Sequence, residues 1–121
     1  MMAGPVGLWA VRRPGSTYLD MEAMPWEPTK FPGILWKILY REDGGTAFTA
    51  LMRMAPGARL PKHMHTEVEQ SYVLQGSLVD DEGACTGGNF VWRRPGSVHS
   101  AWSPDGAPIL AIFQRPNQFL E

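Results

Sequence analysis

Only three histidines occur in this 121-residue chain, and their spacing is the first chemical signal in it. His63 and His65 are one residue apart, so on an extended strand both side chains fall on the same face. Glu67 and Glu69 follow with the same parity. His99 lies in a second glycine-bracketed stretch, Gly88 to His99, as the first pair lies between Gly57 and Gly76. Imidazole and carboxylate together are a donor set for a divalent metal ion. Periodicity alone does not choose between the two acids. If the chain turns near Thr66 to Val68, Glu69 opens the next strand and folds back towards His65, while Glu67 stays on the turn in solvent.

Donors over thirty residues apart converge only if strands position them, and the rest of the sequence supplies strands. The 13 glycines and 11 prolines are spread as punctuation between short apolar runs, which argues against helix as the main element. Strand-forming runs are expected at Ile34–Tyr40, Thr46–Met54, Leu60–His65, Gln70–Gln75, Ser77–Val79, Asn89–Arg93, Ser97–Trp102 and Ile109–Gln114. Asp80-Asp81-Glu82-Gly83 reads as a hairpin turn. About eight strands at this spacing describe an all-β sandwich or barrel. Residues 1–33 read as an irregular arm of the same domain. Its prolines Pro5, Pro14, Pro25, Pro28 and Pro32 interrupt pairing, and its Trp9, Tyr18 and Trp26 must pack on the barrel, 34–121, or on a partner subunit.

Bulk properties exclude several function classes. Apolar residues make up 44% and charged residues 19%, the balance of a folded domain rather than a disordered one. A formal net charge of -1 gives no electrostatic case for nucleic acid or an anionic membrane. The short apolar run Val6 to Val11 has no basic residue ahead of it and ends in Arg12-Arg13-Pro14, so it matches neither a signal peptide nor a membrane span. The lone cysteine, Cys85, allows no intrachain disulfide; a reducing, cytoplasmic setting is expected.

The two bracketed stretches carry a family resemblance. Gly57-x5-His63-x-His65-x3-Glu69-x6-Gly76 resembles the first motif of the cupin superfamily position for position. Gly88 to His99 resembles the second, ending in Gly96-Ser97-Val98-His99. Arg94 stands where that motif has proline, with Pro95 one position later, and Ser103 stands where asparagine often closes it. Pro32 to Lys37, Arg53 to Ala58, Tyr72 to Gly76 and Phe90-Val91-Trp92 resemble one subgroup, which holds acetylacetone- and dihydroxyacetophenone-cleaving dioxygenases and the zinc-binding lobe of ChrR-type anti-sigma factors. The resemblance implies a jelly-roll β-barrel, commonly a homodimer joined through amino-terminal strands. It implies His63, His65 and His99 as metal ligands, with Glu69 as a further ligand or catalytic acid–base.

Three neutral imidazoles leave a divalent ion its full charge and up to three open positions. A bidentate enolate and dioxygen would fill them, and the metal charge favours the enolate. The expected activity is therefore cleavage of a C–C bond in a small β-dicarbonyl or hydroxyketone by an Fe(II) dioxygenase. Zinc, nickel and manganese are alternative metals, since imidazole ligation does not choose among them. A non-catalytic zinc or ligand-sensing domain and a Lewis-acid isomerase or lyase use the same residues. Against an anti-sigma role, residues 1–33 are too short and proline-rich for a helical sigma-binding domain. Strand parity places Ser71 beside Glu69 and Ala101 beside His99, where small side chains leave room for substrate. Trp36, Phe48, Met52, Trp92 and Phe113 are candidate apolar walls, and Arg53 would steer an anionic substrate if it faced inward.

Overall fold

Alternation decides the architecture. In Phe48–Met54 and Ala107–Phe113 every second side chain is buried, the signature of a strand with one face on a core. A computed structural model describes residues 8–121, and in it these segments are two of thirteen strands. In chain order they are β1 (Ala10–Arg12), β2 (Thr17–Leu19), β3 (Glu27–Pro28), β4 (Ile34–Arg41), β5 (Phe48–Met54), β6 (Arg59–Met64) and β7 (Glu69–Val73). There follow β8 (Ser77–Asp80), β9 (Gly83–Thr86), β10 (Asn89–Arg93), β11 (Val98–Trp102), β12 (Ala107–Phe113) and β13 (Gln118–Phe119). Every pairing between them is antiparallel. No helix occurs among the described residues.

Two sheets form the barrel. A six-stranded sheet runs β10-β7-β12-β5-β4-β3 and a five-stranded sheet runs β13-β6-β11-β8-β9, their inner faces sharing one core. The all-β jelly-roll expectation holds. The strand count grows by short elements the sequence pattern did not predict. β9 carries no β-branched residue before Thr86 and follows directly on the turn at Asp81 and Glu82, and β13 is two residues long.

From Met21 to Pro28 the amino-terminal segment packs on its own barrel. The β1–β2 hairpin stands apart, while β3 joins the edge of the six-stranded sheet. Trp26 lies against the outer face of that sheet, with Lys37 Nζ and the Arg53 guanidinium each 4.5 Å from its ring centre. Lys37 also donates to the carbonyl of Met21, which is why a lysine only 5% exposed is tolerated there. The first seven residues of the expected arm, Pro5 and Val6 among them, lie outside the described residues.

One motif glycine is dictated by contact. Gly76 has φ +76°, and a Cβ there would collide with the carbonyl oxygen of Gly106, so a side chain at this corner would drive the β8 approach off the β12 strand.

Candidate metal centre

The histidines meet because β6 and β11 are neighbours in register. His63 on β6 stands directly opposite His99 on β11. His65 lies just past the end of β6 and stays paired: its N–H donates to Ser97 O (2.9 Å) and its carbonyl accepts from Gly96 N–H (2.7 Å). Gly96 (φ +84°) makes that turn possible. The three rings pack with centroids 4.6–5.0 Å apart, and their donor atoms all lie within 4.8 Å of one another. Phe119 of β13, opposite His63 in register, covers its ring at 5.1 Å.

Each ring is anchored by the same nitrogen. His63 Nδ1 donates to Pro61 O (2.7 Å), His65 Nδ1 sits 2.9 Å from Ser97 Oγ and 3.1 Å from Ser97 O, and His99 Nδ1 donates to Asp80 Oδ2 (2.6 Å). An acceptor at Nδ1 selects the Nδ1–H tautomer and leaves Nε2 with a free lone pair. His65 Nε2 is the telling atom: it is fully buried, makes no well-formed hydrogen bond, and has the Glu69 Oε1 carboxylate oxygen beside it at 3.2 Å. Orphaned buried nitrogen is costly unless something else satisfies it. A divalent metal is such a partner, and three converging neutral imidazoles fit one.

The acid is Glu69. Thr66 and Glu67 form the bend, Glu67 is exposed, and Glu69 opens β7. Glu69 Oε1 comes within 3.2 Å of His65 Nε2, accepts from Asn117 Nδ2 (3.1 Å), and its Oε2 accepts from Ser71 Oγ (3.3 Å). Burial raises its pKa, but His65 and then Asn117 outweigh this and hold the carboxyl below its ordinary value. Burial likewise holds His63 low despite its bond to Pro61, and holds His99 low despite its bond to Asp80. Both rings therefore stay neutral, the form that binds metal.

The six-stranded sheet presents ordered rows to this cluster. Register aligns Arg93, Glu69, Phe113 and Phe48 in one row, and Val91, Ser71, Ala111 and Ala50 in the next. Phe48 and Phe113 stack at 4.4 Å, with the Trp36 ring edge-on to Phe48 at 6.1 Å. Met52 is buried one row deeper, opposite Trp36. Ser71 and Ala101 are buried. Two of the candidate pocket residues face away. Trp92 is one residue from Arg93, so the pleat turns it outward, where it is 51% exposed beneath Arg94. Arg53 is exposed on the outer face and lies on Trp26, so it steers nothing inside.

Sequence reasoning missed Asp80, which anchors His99 and reads in sequence as a turn residue. Its parity with the buried Leu78 was the available signal. Ala50 and Ala111, the small members of the Ser71 row, were also missed. Ser103, where asparagine was expected, is fully buried and donates to Ser77 O, a structural bond.

A family model described as the ChrR cupin-like domain matches residues 14–118. The chain belongs to that cupin family. No curated protein matches it. Among solved structures, an acetylacetone dioxygenase from Acinetobacter johnsonii superposes with a TM-score of 0.81 at 16% identity, over 92% of this chain and 82% of that one. A putative acetylacetone dioxygenase from Methylibium petroleiphilum gives 0.81 at 17%, over 100% and 86%. The Rhodobacter sphaeroides complex of SigE with the anti-sigma ChrR gives 0.66 at 24%, over 78% of this chain and 50% of that one. At these identities the similarity establishes the cupin fold alone.

Proposed function

We propose that this cupin is a metal-dependent dioxygenase that cleaves a C–C bond in a small β-dicarbonyl or hydroxyketone. The observation that carries the reading is the set of three imidazoles, each anchored through Nδ1, with their Nε2 atoms converging beside the Glu69 carboxylate. Structural similarity to the Acinetobacter johnsonii acetylacetone dioxygenase supports the choice of substrate class.

His63, His65 and His99 would hold the metal, with Glu69 as a fourth donor. When bound, a divalent ion, Fe(II) by preference over zinc, nickel or manganese, supplies Lewis acidity and electrons for dioxygen. The chain does the rest. Released from the metal, Glu69 would take the proton from the carbon between the two substrate oxygens; it is ionised and so able to accept it. Because its neighbours also make it a weak base, the step would depend on the metal acidifying that carbon. Asn117 and Ser71 hold that carboxylate in place. Ala50, Ala111, Ser71 and Ala101 leave space beside the rings, and Phe48 and Phe113 exclude water from it.

A second reading rests on Glu69. A carboxylate already 3.2 Å from a free imidazole nitrogen suits a closed four-ligand zinc site that senses rather than reacts, as membership of the ChrR-like family also suggests. A Lewis-acid isomerase or lyase would use the same atoms without oxygen.

We further place the protein in the cytoplasm as a homodimer. The outer face of the six-stranded sheet supports the dimer, because Tyr40, Tyr72, Leu74, Phe90 and Trp92 are all exposed on it.

Metal analysis followed by oxygen uptake with a diketone panel tests the enzyme reading. Iron-loaded protein should consume oxygen in proportion to diketone, and Glu69→Gln should lower kcat while retaining metal. Tight zinc with no oxygen consumption under any metal loading sinks the dioxygenase and leaves the closed site.

A further inference from the structure

The barrel has a seam beside its metal centre. β9 and β10 are consecutive in the chain and edge their respective sheets, yet no ladder joins them. A cleft of about 350 Å³ runs along this seam, with Asp80, Cys85, Val91 and Arg93 in its wall. Arg93 Nη1 of the six-stranded sheet crosses it, 2.8 Å from Asp80 Oδ2 of the five-stranded sheet and 4.0 Å from Oε1 of the exposed Glu82 in the β8–β9 turn.

Asp80 is held from every side. Its Oδ1 accepts from the backbone N–H groups of Glu82 (2.9 Å) and Gly83 (3.1 Å), which pins the carboxylate to the β8–β9 turn. That leaves Oδ2 aimed at two donors, Arg93 and the Nδ1–H of His99. The side chain is 2% exposed, so these bonds form away from competing water. Arg93 also stands opposite Glu69 in the β10–β7 register. One arginine thus ties the strand that carries the acid to the carboxylate that orients a histidine.

We propose that Asp80 is the positioning residue of the metal centre and Arg93 the cross-seam clamp that aims it. Asp80 fixes His99 as the Nδ1–H tautomer and turns its Nε2 lone pair towards the metal. Arg93 keeps Asp80 in place and holds the Glu69 strand at its working distance from the histidine sheet. His63 and His65 need no such device, since Pro61 and Ser97 anchor them within their own sheet. His99 is the ring whose orientation depends on a carboxylate and, through it, on the opposite sheet. The inference rests on the metal reading above but not on any oxygen chemistry.

The test measures zinc affinity by chelator competition, and the His99 tautomer by nitrogen NMR on metal-free protein at a pH where the ring is neutral. In Asp80→Asn, whose amide can accept from or donate to the ring, zinc affinity should fall about 10–100-fold. The His99 signals should move from a single Nδ1–H form to a mixture. Arg93→Gln should give a smaller loss in the same direction, and Arg93→Lys should recover part of it. A merely structural ion pair would lower thermal stability and leave the tautomer untouched. Zinc affinity within twofold of wild type and an unchanged tautomer in folded Asp80→Asn overturn the proposal. If that variant does not fold, Arg93→Gln decides by the same two readings. A wild-type protein that binds no metal sinks the metal reading, while the tautomer measurement still judges the clamp.

Discussion

The inner faces of the two sheets look at one another across a single core but are built for different ends. On the six-stranded sheet the buried inward residues are Ile34, Phe48, Ala50, Met52, Met54, Val73, Ala107, Ile109, Ala111 and Phe113, their rows broken by Ser71, Glu69 and Arg93. The facing sheet contributes buried Leu78, Cys85 and Ala101, and for the rest turns His63, His99 and Asp80 into the interior, with His65 just past its edge. Apolar burial yields roughly 25 cal/mol per Å² without needing any particular geometry. Polar burial costs free energy unless each group is partnered. One sheet therefore carries most of the fold's stability, while the other carries groups whose only return is a binding site. Concentrating the cost in one sheet lets the other compensate.

Removing a ligand breaks this division most sharply. His63→Ala should abolish stoichiometric metal binding, and with it the stabilisation of about 4 kcal/mol that a ligand at 1,000 times its Kd confers. The metal-free variant should remain folded, since it loses a buried polar ring rather than an apolar anchor. Calorimetry with and without zinc checks both halves. A variant that keeps the metal-induced rise in Tm refutes the three-histidine centre.

The converse substitution lies on the other sheet. Ile109 is 2% exposed in the middle of β12, with Met52 and Val73 as its cross-strand neighbours. Ile109→Ala should cost about 2–5 kcal/mol in denaturant unfolding, the usual range for emptying such a site. Zinc affinity of the folded fraction should not move. A tenfold loss of affinity would mean that the apolar rows position the ligands, and the contrast between the sheets would fail.

Protons sharpen the comparison with a smaller effect. His63 and His99 both titrate below 6.5, chiefly because burial disfavours the charged ring. Just below pH 6.5 the unfolded chain therefore binds more protons than the folded one, and stability rises with pH across that window. Metal-free protein should lose at most about 1.4 kcal/mol per pH unit for each imidazole as pH falls from 6.5, with no such loss above it. Asp80 and Glu69, both held below their ordinary values, stay ionised through this window and lose their contribution only in stronger acid. His63→Ala should flatten the slope by one imidazole's share, read from unfolding curves at pH 5.5 to 7.5.

What could be read in the sequence follows the same boundary. His63 and His65 were legible because a strand's period of two needs no knowledge of neighbours, and His99 because its glycine-bracketed stretch matched a motif. Glu69 is preferred over Glu67 by the spacing of the motif, and the bend that would bring it back towards His65 is formed by Thr66 and Glu67. Asp80 was not legible, because Asp-Asp-Glu-Gly is turn chemistry on its face and its role depends on β11 lying alongside. Arg93 is harder still: its partner sits in the opposite sheet, a relation no local pattern encodes. Trp92 was a wall candidate by residue type and Arg53 a steering group only if it faced inward, whereas the side each takes is fixed by a one-residue register that only pairing reveals. The small residues Ala50 and Ala111 carry no chemistry of their own, so only their row beside Ser71 marks them.

The outer face of the apolar sheet should give the smallest effect on site and fold. Trp92 and Phe90 touch neither the core nor the ligands, so in dilute protein Trp92→Ser should change chain stability by no more than about 0.5 kcal/mol and leave zinc affinity alone. Its consequence belongs to association. An exposed run of Tyr72, Leu74, Phe90 and Trp92 is the kind of surface that a second copy covers, and an isologous contact places each substituted residue in the interface on both copies. Light scattering on a sizing column should then show wild-type dimer and Trp92→Ser shifted towards monomer. If wild type runs as a monomer at high concentration, the outer face has no self-partner, and the six-stranded sheet is specialised on its inner side only.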